Sequence, residues 1–118
     1  MTKTLTRLAA LSGFIAVAFG AFGAHALKDS FSPEAVGWWQ TATLYLMVHA
    51  AAALAIALSG RKGLMQAGSL AMVIGAALFA ATLYAMALGA PRWLGAITPL
   101  GGVGMLAGWA MAAWAARS

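Results

Sequence analysis

Only nine of the 118 residues are charged, seven Lys or Arg and two Asp or Glu, and they fall at the joints between long apolar runs. The first run, Leu8 to Leu27, holds 20 residues without Asp, Glu, Lys or Arg, about the length needed to cross a hydrocarbon core of roughly 30 Å. With 64% hydrophobic and 8% charged residues, the chain cannot cover itself with a water-compatible surface. The reading is an all-α integral membrane protein: one domain over residues 1–118, forming a four-helix transmembrane bundle. The net charge of +5 does not point to nucleic acid, because the cations are scattered and form no basic face. The absence of Cys excludes a disulfide framework and thiolate metal or iron-sulfur sites.

Helices are expected over about 8–27, 33–59, 64–88 and 98–116. The first run ends in Ala24-His25-Ala26, a small-x-small pattern of the kind signal peptidases cut, but it is longer than a typical h-region of roughly 7 to 15 residues and is read as a span. Ser32-Pro33-Glu34 predicts a helix start, with Ser capping, Pro in the first position and Glu at the positive dipole end. The second helix thus begins before the membrane does, with Trp38 and Trp39 marking the interface. Ser59-Gly60-Arg61-Lys62-Gly63 reads as a tight turn with a glycine C-cap. Thr98-Pro99 repeats the cap-plus-proline logic, leaving Leu94 to Ile97 as an apolar interfacial or re-entrant stretch.

Small residues recur every four positions at Ser12, Ala16, Gly20 and Ala24, at Ala67, Ala71 and Gly75, and at Gly104, Gly108, Ala112 and Ala116. Such ridges let helix backbones approach closely. Self-association of two chains through Gly104/Gly108 or Ser12/Ala16/Gly20 is expected, with membrane lipids as the surrounding partner. Lys3, Arg7, Arg61, Lys62 and Arg117 fall on one side of the spans and Lys28 and Arg92 on the other, which predicts an inner-membrane protein with both termini cytoplasmic.

The stretch Gln40 to Ala50 carries the one ionisable residue near the middle of a run, His49, with Tyr45 and Thr41 each one turn earlier. The topology gathers His25, Tyr45, His49, Tyr84 and Thr98 into an outer-half polar cluster. Three functional readings follow. Heme or quinone binding is the most remote; His25 and His49 as axial heme ligands would have to face each other across one ring, and their depths differ by several residues. A proton or substrate path through Thr41, Tyr45 and His49 would make a small transporter, channel or proton-coupled carrier, but Ala50 to Leu58 offers no polar side chain to continue it. An outward pocket for an anionic or lipid headgroup would use Lys28, Arg92, Gly101 and Gly102 at the fourth helix start. Against all three stands the plainer reading, in which the polar side chains fix helix packing through hydrogen bonds. No nucleophile-base pair, paired carboxylates, metal cluster or phosphate loop is present, so neither enzymatic activity nor a bound cofactor is expected.

Five blocks carry a resemblance: Gly20-Ala-Phe-Gly-Ala-His25-Ala-Leu, Trp39-x-Thr-Ala-x-x-Tyr45 leading to His49-Ala, Thr82-Leu-Tyr84, Ile97-Thr-Pro-Leu-Gly-Gly102 and Gly108-Trp109. Over almost its whole length the chain resembles the small bacterial membrane family known as domain of unknown function 423, which has a mitochondrial relative in animals. Members often show Phe-Ser-Gly-Ser-Leu-Tyr where this chain has Phe79-Ala-Ala-Thr-Leu-Tyr84. The resemblance implies a four-helix inner-membrane protein without an established activity.

Overall fold

The structure is a computed structural model that describes residues 1–27 and 29–117; Lys28, expected at the outer rim, and Ser118 lie outside the described residues. Four α-helices follow in order, α1 (Thr2–Ala26), α2 (Pro33–Ser59), α3 (Gly63–Ala87) and α4 (Thr98–Ala115), with a short 3₁₀ helix, Arg92–Ala96, leading into α4. All four are long and apolar enough to cross a membrane. No strand occurs among the described residues.

α1 starts at Thr2 rather than at Leu8. The reason is packing: Leu5 and Ala9 are buried among Ala53, Ala57 and Val73. Lys62 Nζ and Gln66 Nε2 donate to Thr2 Oγ1 at 2.6 and 3.4 Å, which holds the first turn down. α2 begins as its sequence dictates, with Ser32 Oγ accepting from the Ala35 amide at 3.1 Å and Pro33 in the first turn. It runs unbroken to Gly60, whose φ of 73° gives the left-handed cap that a side chain would resist.

One expectation fails at the start of α4. Thr98 does not cap it; the cap residue is Ile97, in helical conformation and without a side-chain bond. The Thr98 hydroxyl is instead drawn to Thr82 on α3. The stretch from Leu94 to Ile97 is a helical lead-in, joined by the Ile97 amide to Leu94 O and the Leu100 amide to Ile97 O, both 2.9 Å, and Leu94 packs on the core.

The helices do not close into a bundle. Among the described residues α1 packs on α2, α2 on α3 and α3 on α4, with a lesser contact of α1 on α3 and a touch of α2 on α4 through His49 and Trp109, whereas α1 and α4 have no extended interface. The result is a serpentine array measuring 49 × 26 × 19 Å, centred on α3. The backbones of α3 and α4 come closest. A Cβ on Gly75 would stand 2.6 Å from Met105 N and 2.7 Å from Gly101 O, and one on Gly101 would stand 2.5 Å from Phe79 N. Gly68 and Gly108 repeat this lower down, each within 3 Å of the other's carbonyl oxygen. The α3 side of the contact is Gly68, Met72 and Gly75, one residue off the expected Ala67/Ala71/Gly75 ridge. Ala16 is buried, and a Cβ on Gly20 would meet Thr43 at 3.0 Å. Ala16 and Gly20 of the first ridge, like Gly104 and Gly108 of the last, thus have neighbours within the chain.

In lipid no hydrophobic driving force pulls helices together, so such backbone contact carries the association. Gly75→Ala and Gly101→Ala are expected to destabilise the purified protein by about 1–3 kcal/mol through overpacking. Gly37→Ala, where an added Cβ meets nothing within 4 Å, should be neutral or slightly stabilising, as thermal unfolding in detergent will read.

Candidate functional site

Among the described residues, three hydrogen-bonded groups of polar side chains join the membrane-spanning helices, beside the single buried bond from Ser69 Oγ on α3 to Ala53 O on α2 at 3.1 Å. The first joins α2 to α4. His49, four residues after Tyr45 on one face of α2, is 6% exposed. Its Nδ1–H donates to Tyr45 O at 2.7 Å, and its Nε2 accepts from the Trp109 indole N–H at 2.8 Å. These two partners, a carbonyl and an N–H, assign the neutral tautomer with its proton on Nδ1. The Tyr45 ring lies parallel to the imidazole and against Phe79, with centroids 6.2 and 4.8 Å apart.

The second group joins α1, α2 and α3. Thr43 Oγ1 donates to Trp39 O at 3.0 Å and so receives the Tyr84 phenol hydrogen at 2.7 Å. Trp39 is turned inward, not outward into the headgroup layer: it is 7% exposed, and its indole N–H donates to Phe19 O at 2.8 Å. Gly23 makes this bond feasible. It sits one turn above Phe19, and a Cβ there would lie 2.1 Å from the Trp39 nitrogen. Only a residue without a side chain leaves that carbonyl uncovered. Phe19, Trp39 and Tyr84 close the group as a ring cluster with centroids 4.5 to 5.2 Å apart.

The third group joins α3 to α4. The hydroxyls of Thr82 and Thr98 lie 2.7 Å apart, and Thr82 donates to Phe79 O at 2.9 Å. The Thr98 hydroxyl in turn has Leu94 O within reach at 3.2 Å.

The five residues expected as one cluster are thus distributed. Tyr45 and His49 stay together, Tyr84 and Thr98 belong to different groups, and His25 is exposed in the last turn of α1 with no hydrogen bond among the described residues. All five are expected in the outer half of the span, but helix azimuth separates them. Heme ligation would need a free imidazole lone pair on His49, and that lone pair is occupied by Trp109. Of the expected anion contacts, Lys28 is outside the described residues. Arg92 holds Glu34 through both guanidinium NH₂ groups and lies 5.3 Å over the Trp38 ring. Gly101 is pressed against α3, and Gly102 faces outward with nothing within 4 Å of an added Cβ. The sequence reading placed Trp39 at the interface and gave Thr43, Thr82 and Trp109 no hydrogen-bonding role. The spacing of four from Trp39 to Thr43 was a usable signal for Thr43; nothing in the sequence aims Trp109 at His49.

Four apolar helices clasped by buried polar groups define a small multi-span membrane protein. The model of the family described as Protein of unknown function (DUF423) matches residues 19–102, a range that holds the second and third groups whole and ends before Trp109. The UPF0382 inner membrane protein YgdD of Escherichia coli K12 is 41% identical over 106 residues, covering 87% of this chain and 81% of the relative. A UPF0382 membrane protein of Staphylococcus epidermidis is 43% identical over 110 residues, covering 91% and 89%. One from Schizosaccharomyces pombe is 36% identical over 113 residues, covering 91% and 96%. The chain belongs to the DUF423 family of membrane proteins of unknown function. No solved structure matches it.

The Trp39–Gly23 contact predicts strong coupling. Gly23→Ala should cost about 1–3 kcal/mol in the wild-type background and much less in Trp39→Ala, a non-additivity that a double-mutant cycle of unfolding free energies will measure. Trp109→Phe leaves His49 Nε2 without its donor and should destabilise by about 1–2 kcal/mol.

Proposed function

We propose that this is a non-enzymatic inner-membrane protein with a structural, assembly or lipid-related role, its termini on the cytoplasmic side. The observation that carries the reading is the state of His49. Both ring nitrogens are engaged, one with a carbonyl and one with an indole N–H that can only donate. A relay would need Nε2 to take up and release a proton, which would turn the Trp109 bond into a clash of two donors. The groups of Tyr84 and Thr98 likewise bond helix to helix. Reconstituted in vesicles carrying an internal pH dye, the protein should dissipate an imposed pH gradient no faster than empty vesicles. A leak that disappears in His49→Gln would overturn the structural reading in favour of a carrier.

The orientation rests on the cation bias. Lys62 bonds Thr2, and Arg61 donates to Ala115 O at 3.2 Å, so the α2–α3 turn and both termini share one end of the array. Asp29, Glu34 and Arg92 fall toward the other. The chain has no native Cys, so single cysteines report cleanly. Asp29→Cys should react with an impermeant maleimide in intact spheroplasts, and Ser59→Cys only after lysis. The reverse pattern would invert the topology.

A further inference from the structure

The strongest charge feature of the molecule lies at the end of the array opposite Asp29 and Glu34. Five cations reach that end from three places in the sequence: Lys3 and Arg7 on α1, Arg61 and Lys62 in the α2–α3 turn, and Arg117 after α4. All five are exposed. Hydrogen bonds draw the three places together. Lys62 Nζ donates to Thr2 Oγ1 at 2.6 Å, Arg61 to Ala115 O at 3.2 Å and Arg117 to Trp114 O at 3.0 Å. Arg61 and Arg117 thus hold consecutive carbonyls at the end of α4, like charges brought to one place. Among the described residues the one ion pair joins Arg92 to Glu34 at the other end, so the five cations meet only neutral acceptors.

Topology does not by itself ask for this arrangement. The positive-inside bias needs cations in the connecting segments, not cations gathered from three segments by side-chain bonds. A helix C-terminus attracts a cation, but one carbonyl occupies one of the five N–H donors of a guanidinium. Arg7 fixes the level of the patch. It is the last charge before the 20 residues from Leu8 to Leu27 that hold no Asp, Glu, Lys or Arg, and such a helical run is about as long as the hydrocarbon core is thick, roughly 30 Å. Arg7 therefore stands at the edge of the core, where phospholipid phosphates lie. Lys3 is one turn, about 6 Å, further out, next to the Thr2 that Lys62 holds. The side chains of Lys3 and Arg7 make no hydrogen bond or ion pair among the described residues.

We propose that this end of the protein binds the headgroup of an anionic phospholipid of the surrounding bilayer, a phosphodiester without an ammonium of its own, as in phosphatidylglycerol. Lys3, Arg7, Arg61, Lys62 and Arg117 are its cationic contacts. Charge and level together select this occupant. Unopposed cations at the membrane edge attract anionic headgroups, whereas a zwitterionic lipid brings a cation that cancels the gain. Its acyl chains hold the phosphate at the height of Arg7, which a soluble anion does not share. The inference goes beyond the role proposed above and depends neither on its orientation nor on the absence of catalysis.

The test follows thermal unfolding of the full-length protein in a non-ionic detergent, titrated with dioleoylphosphatidylglycerol or with dioleoylphosphatidylcholine. Micelles have no sidedness, so the result is blind to orientation. Phosphatidylglycerol is expected to raise Tm saturably, and less so as salt is added. Its half-effect concentration should be about fivefold higher in Arg7→Gln, the loss expected for one cation near an anionic surface. Arg7→Lys should restore it, and Arg92→Gln, at the other end, should leave it unchanged. Lys3→Gln, exposed and unbonded within the chain, is the second variant should Arg7→Gln not fold. Equal stabilisation by phosphatidylcholine would overturn the proposal, as would a half-effect concentration that neither Arg7→Gln nor Lys3→Gln changes. A Tm rise of the same size from inorganic phosphate alone would overturn it too, by making the patch a soluble-anion site.

Discussion

A helix in lipid gains nothing by trading hydrocarbon contact for leucine contact, and this fold is shaped by that fact. Close approach of backbones and hydrogen bonds between helices must supply the association. The contact of α3 with α4 is the first kind, with Gly75 and Gly101 each occupying space the other's side chain would need. The bonds from Trp39 to Phe19, from Tyr84 to Thr43, between Thr82 and Thr98, from Ser69 to Ala53 and from Trp109 to His49 are the second. Each such bond contributes about 0.6 kcal/mol on average in comparable membrane proteins. They matter as much for register as for energy, because each fixes one helix against another at a single height.

The same constraint explains why the polar residues are where they are. A histidine in hydrocarbon must satisfy both nitrogens, and His49 does so by using one partner on its own helix and one on α4. Thr43 serves twice, returning its proton to its own turn and lending its oxygen to Tyr84.

What the sequence made legible was everything governed by local chemistry. Ser32 and Pro33 start α2, Gly60 ends it, and the charged residues mark the joints, because capping and charge burial depend on neighbours a few residues away. What it did not show was azimuth. Trp39 reads as an interface residue from its position at the end of a span, yet it turns inward because Gly23, 16 residues earlier on another helix, uncovers a carbonyl for it. Thr98 has the sequence of a cap, but Thr82 offers it a better partner. The α3 ridge was displaced by one residue because alanine and glycine look alike in a spacing rule, while only glycine admits backbone contact. The expected polar cluster split for the same reason: depth follows from residue count, but direction around the helix follows from partners that are distant in sequence.

The serpentine order of the helices bears on how the protein is made. Each major interface joins helices that are consecutive in the chain, so almost every contact that matters is formed between one helix and the next to emerge. Such low separation between contacting segments favours fast assembly. α2 can dock on α1, and α4 on α3, as soon as each leaves the insertion machinery, while the bond of His49 on α2 to Trp109 waits for α4.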